Sequence, residues 1–268
     1  MNSKSSAPTW HRAAAPARAW SLGLAAAALL AGLALHGPVA QWDNYHAFAD
    51  TRTWLGVPHA ADVLSNAPFL IVGVWGWLRL SRSALDWPSR RAWQLFCAAL
   101  LSTSAGSTFY HWAPDNATLA FDRIPIAWAC IALTSALLAE HVDARWAELR
   151  VLALGVVLAT CAVGYWWVTE QRGSGDLRPY LFVQILPMLL VPLAIVLKLP
   201  ARQSACTPAS AWWAVLGLYA AAKGMEVADH AVLGATGWVS GHTLKHLLAA
   251  AAAAWIVRAV VTREPRAS

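Results

Sequence analysis

Eight stretches of about 20 mostly apolar residues divide this 268-residue chain, and a bilayer core asks for about 20 such residues per helix. They run over 20–38, 60–80, 92–112, 120–139, 149–168, 179–198, 211–230 and 241–260. Lipid offers no partner for a free N–H or C=O, so each run is read as a helix. Only 13% of the residues are charged, against about 25% in a soluble domain. The expected fold is an all-α polytopic membrane helix bundle of eight spans.

The polar segments orient the bundle. With the N-terminus inside, the inner segments hold Lys4, Arg12, Arg18, Arg79, Arg82, Arg90, Arg91, Arg145, Arg150, Lys198, Arg202, Arg258, Arg263 and Arg266, which is 14 of the 20 Lys and Arg. That excess marks the cytoplasmic side, and both termini fall there. The net charge of +6 is accordingly read as loop asymmetry and not as a nucleic-acid surface. Seventeen tryptophans suit interfacial belts. The cysteines at 97, 130, 161 and 206 are widely spaced and read as packing residues, with neither a disulfide framework nor metal-pair spacing. Residues 20–38 are read as a retained helix, since Gly37-Pro38-Val39-Ala40 is a poor signal-cleavage site.

Two polar patches interrupt the apolar pattern. One is Ser107-Thr108-Phe109-Tyr110-His111, with Asp122 eleven residues beyond the histidine; the other is His242-Thr243-Leu244-Lys245-His246. Residues four apart share a helix face, about 6 Å along the axis. His242 and His246 can therefore grip one metal ion, and His111 from another helix makes a third ligand. Three histidines leave a fourth position for water, the composition of a catalytic zinc site. Alone, His111 would be read as a structural histidine, Ser107 as a serine bonding back to its own helix, and Asp122 as a helix N-terminal acid. The predicted topology puts all of them at the outer face, where they converge. Asp122 becomes the candidate base and Ser107 a water or oxyanion donor, because no histidine is left to activate it as a nucleophile. Lys223, Glu226, Asp229 and His230 form a further patch, read as an ion-paired network, with Asp229 able to approach the site. His11, His36, His46, His59 and His141 are read as flanking or loop residues.

These residues resemble the alkaline ceramidase family, within the superfamily of seven-span membrane hydrolases that includes adiponectin-receptor-like proteins. The family pattern is a Ser, a His four later, an Asp eleven after that, and a late His-x-x-x-His. Ser107, His111, Asp122, His242 and His246 reproduce it. Asp122-Arg123-Ile124-Pro125 resembles the family's Asp-Glu-Leu-Pro run, and Asp62-Val63-Leu64-Ser65-Asn66 its first-helix Ser-Asn motif. Met225 through Asp229 falls where the family has a Trp-x-x-Asp stretch. The resemblance covers about residues 41–260 and leaves residues 20–38 as an extra helix. It divides the chain into a cytoplasmic segment with an added span (1–40), a seven-span ceramidase-like domain (41–262) and a cytoplasmic tail (263–268).

The resemblance implies Zn2+ on the three histidines and hydrolysis of the amide of ceramide, or a related lipid amide, to a sphingoid base and a fatty acid. Eukaryotic members also bind calcium through an acidic cluster. Only Asp43-Asn44-Tyr45 resembles that cluster here, so calcium is not assigned. The alternative function is a receptor-like signalling protein with a mainly structural metal; a haem protein is disfavoured, because histidines four apart do not suit two axial positions. The expected location is a bacterial cytoplasmic membrane with the site toward the periplasm. No nucleic-acid or protein partner is expected.

Overall fold

A computed structural model describes residues 17–83, 87–202 and 206–262. The expectations for Lys4, His11, Arg12 and the tail 263–268 lie outside the described residues. The helices are α1 (Trp20–His36), α2 (Ala60–Leu64), α3 (Ala67–Arg82), α4 (Arg90–Trp112), α5 (Asn116–His141), α6 (Leu149–Gln171), α7 (Arg178–Val196), α8 (Ala209–Val227), α9 (Asp229–Thr236) and α10 (Gly241–Val261). Among the described residues the extended structure is one isolated bridge, Trp54 to Val57. The protein is an all-α polytopic bundle. Each expected span coincides with helix, and six are both long and apolar enough to cross a membrane. Helices α4 and α8 have the length but carry more polar residues, several of them at the site described below.

Two of the expected spans are broken at specific side chains. The run 60–80 divides at Ser65 and Asn66, whose side chains turn back to bond the Asp62 carbonyl at 2.9 Å each. Such local bonding competes with helix continuation. The run 211–230 ends at Val227, and α9 starts afresh at Asp229, whose carboxylate is drawn away to other backbone groups.

Small residues let the central helices approach. Ala92 and Ala99 of α4 and Ala132 and Ala136 of α5 are wholly buried, and these two helices pack together; in lipid close contact, and not hydrophobic exclusion, holds helices together. Helix α10 packs on α8 and α3, and α1 lies outside the bundle against α7. An apolar core built on Trp93, Leu137, Trp212 and Ile256 fills one end. A second, with Phe48, Tyr110, Leu119, Trp166 and Tyr180, fills the end that carries the histidines. Cys97 and Cys130 are buried packing residues as expected, whereas Cys161 is exposed on α6.

The wholly buried Glu140 fastens the opposite end. Its carboxylate accepts from Ser89 Oγ (3.0 Å), Trp93 Nε1 (3.1 Å) and Thr207 N (2.7 Å), joining α4, α5 and the segment before α8.

Candidate metal centre

The last turn of α4, the second turn of α5 and the first turns of α10 meet at one end of the bundle. His111, His242 and His246 are all buried there. Their ring centroids form an equilateral triangle 4.8 Å on a side, and one nitrogen from each lies within 4.8 Å of the others. The three histidines singled out in the sequence are therefore brought together.

Hydrogen bonding fixes the tautomer of His246. Ser65 Oγ donates to the Asp62 carbonyl at 2.9 Å. It must then accept from His246 Nδ1–H, 2.8 Å away, which leaves the lone pair on Nε2. Lys245 Nζ lies 3.3 Å from His242 Nε2. Neither ring nitrogen of His111 has a hydrogen-bond partner among the described residues. A buried imidazole with nothing to bond is costly, and a metal ligand bond would satisfy one of its nitrogens. The donor set fits a divalent ion such as zinc, with the serine behind His246 in the orienting position that metal-bound histidines usually have.

The start of α10 is locked from three sides. Asp229 accepts from His242 N at 2.7 Å and from Ala49 N at 2.9 Å. Asp62 Oδ1 accepts from Thr243 Oγ1 at 2.6 Å. Gly241 lies so close to the α8–α9 corner that a Cβ there would stand 2.2 Å from the Met225 carbonyl oxygen. Asp229 thus reaches the site as a backbone clamp.

Asp122 and Ser107 also meet here. Both are buried, and Asp122 Oδ1 has no partner among the described residues. What allows this is an approach of α4 to α5. Pro125 has no N–H to give the Phe121 carbonyl four residues back, and Gly106 packs its bare Cα against that carbonyl. A Cβ at Gly106 would lie 2.3 Å from the Phe121 oxygen.

The loop before α2 closes the site from above. Phe48 sets its ring 4.7 Å from His111 and 4.6 Å from His242, centroid to centroid. His46 bridges Tyr110 Oη and Asn116 Oδ1 at 2.9 Å each, and His59 Nδ1 donates to the Asp50 carbonyl at 2.9 Å. Arg52 pairs with Asp50 at 2.6 Å and donates to the Trp238 carbonyl at 2.6 Å. Hydrogen bonding from Arg52 holds the Asp50 carboxyl below its usual 3.8. Arg123, beside Asp122 in sequence, is placed elsewhere: its guanidinium lies over Trp166 at 4.1 Å, between Tyr45 and Tyr180.

Several contributors escaped sequence reasoning. Phe48 joins the site only through tertiary packing, and Gly106 and Gly241 look like any helix glycine until the partner backbone is seen. Lys245, inside the His-x-x-x-His stretch, had no role assigned, yet it touches His242 and pairs with Glu226 at 2.7 Å. A scan against protein-family models finds no match, and neither does a search of curated proteins.

Proposed function

We propose that this protein is an intramembrane zinc-dependent hydrolase of lipid amides, ceramide or a close relative, resembling the alkaline ceramidases. The observation that supports it most is a buried trio of histidines whose nitrogens lie within 4.8 Å of one another, at the end of the bundle that also holds Asp122, whose Oδ1 has no partner among the described residues. His111, His242 and His246 would hold the ion. When bound, zinc supplies Lewis acidity toward a carbonyl and makes water acidic enough to react near neutral pH.

The protein's own groups supply the rest. Asp122 Oδ1 takes a proton from the attacking water and delivers it to the departing amine nitrogen, so that amide and water become fatty acid and free amine. Ser107, one turn before His111, would donate its single hydroxyl proton toward the amide oxygen. Ser65 fixes the His246 tautomer, and Asp229 fixes the backbone at His242. Phe48 keeps bulk water off the histidines, while the acyl chain lies among the helices.

The location proposed is a bacterial cytoplasmic membrane, termini inside. The histidine end would face the periplasm, opposite the end where Arg90, Arg91 and Arg145 line one surface pocket. Purified protein should release fatty acid from a ceramide, lose that activity to a chelator and regain it with zinc. Activity indifferent to chelation, or none with zinc restored on ceramide and simpler N-acyl lipids alike, contradicts the proposal.

A further inference from the structure

Two ammonium groups share one carboxylate beside the histidines. Glu226 accepts from Lys245 at 2.7 Å through Oε1 and from Lys223 through Oε2. The Lys245 ammonium is the inner of the two. It reaches 3.3 Å from His242 Nε2. Lys223 is half-exposed, while the side chains of Lys245 and Glu226 are only 22% and 19% exposed. The trio keeps one positive charge that Glu226 does not cancel. Among the described residues no other carboxylate lies within ion-pairing distance of Lys245.

An ionised side chain at this depth is costly and is normally kept for a partner or a task. A salt bridge alone explains one lysine. It does not explain two, with the inner one directed onto a histidine of the site. A strut would also serve as well one helical turn away, without touching His242.

We infer that Lys245, steadied by Glu226, forms a carboxylate-binding subsite of the chamber, taking the anionic end of an acyl amphiphile. This rests on the lipid-amide reading for the presence of an acyl chain. Two sources share that chemistry. One is an acidic group on the amine side of the substrate, as in an N-acyl amino acid; the other is the fatty acid product. Either places a carboxylate next to an ammonium whose hydrogen-bonding capacity is not exhausted by Glu226. The subsite would set preference among lipid amides by charge, which three histidines and an aspartate alone do not.

The test is direct binding to purified, metal-free protein, so that no ion can hold the carboxylate. The probes are palmitate, N-palmitoylglycine and the uncharged N-palmitoylethanolamine. At least one anion should bind wild type about tenfold or more tighter than the uncharged probe, the gain expected of a charge-assisted contact. Palmitate alone would identify the product as the ligand; both anions would identify the substrate. Lys245→Met should erase the preference. Glu226→Gln should keep or strengthen it, because the ammonium loses its competitor. Should a lone charge destabilise either variant, the double change Lys245→Met with Glu226→Gln removes both charges together and should bind all three probes alike. Equal affinities in wild type, a preference that survives Lys245→Met, or its loss in Glu226→Gln overturns the inference. A charge preference in a protein that hydrolyses no amide would leave this subsite standing and remove the hydrolase reading alone.

Discussion

Replacing Gly106 by alanine should damage the site without touching any residue proposed to do chemistry. The added Cβ would lie 2.3 Å from the Phe121 carbonyl oxygen, 3.0 Å from its carbon and 3.4 Å from Asp122 N. All three are backbone atoms, so no rotamer can relieve the clash. Ordinary contact begins near 3.4 Å, so α4 and α5 must separate by about 1 Å at this level. Overpacking of this kind costs about 1–3 kcal/mol. Alanine's better helix propensity returns up to about 1 kcal/mol, and the net loss should be about 1–2 kcal/mol. The functional effect should be larger, because the displaced segment begins at Asp122. A misplacement of about 1 Å can reduce turnover about 10²-fold. The histidines on α4 and α10 are not forced apart, so metal content should hold. Gly224→Ala on α8, where a Cβ meets nothing within 4 Å, is the control. Thermal unfolding in detergent, metal analysis and ceramide hydrolysis are the assays. Wild-type stability and turnover in Gly106→Ala would refute the close-approach reasoning.

Other changes separate the roles assigned here. Asp122→Asn should keep the metal and lose about 10²–10⁴ in kcat with a smaller change in KM, and Ser107→Ala should be milder because water can replace a hydroxyl donor; zinc loss in the Asp122 variant would make it a structural residue instead. Ser65→Ala should weaken metal affinity about 10–100-fold by freeing the His246 ring, and Ser65→Thr should restore it; unchanged affinity in Ser65→Ala removes the tautomer assignment. With the four native cysteines replaced, single cysteines at Pro114 and Trp238 should react with an impermeant thiol reagent in intact cells and cysteines at Arg90 and Arg145 should not. The reverse pattern would move the site to the cytoplasmic face.

The spans were legible because lipid leaves an apolar run of this length no fold but helix. The histidine trio was legible because spacing and topology both pointed to one end of the bundle. What escaped are effects that exist only between elements. The break at Ser65 comes from a serine committed to Asp62 and His246, and the break at Asp229 from a carboxylate that clamps His242 and Ala49. Neither interrupts the hydropathy of its run. Phe48 lies in a polar loop whose path over the histidines depends on Arg52 gripping Trp238 and on Ala49 bonding Asp229. Glu140 sits at the end of a span, where a charge looks solvated, yet it is wholly buried in a network with Ser89, Trp93 and Thr207. Lys245 was visible within the motif, and its i,i+3 spacing to His242 was the one clue that it lies next to the site.

The central claim is that His111, His242 and His246 hold one zinc ion together. Elemental analysis of purified wild type and of His111→Ala, His242→Ala and His246→Ala tests it most directly. About one zinc per chain is expected in wild type, with most of it lost in each variant, since three protein ligands are the usual minimum for a catalytic zinc site. No zinc in wild type after growth with the metal, or full occupancy in any one of the three variants, would contradict it.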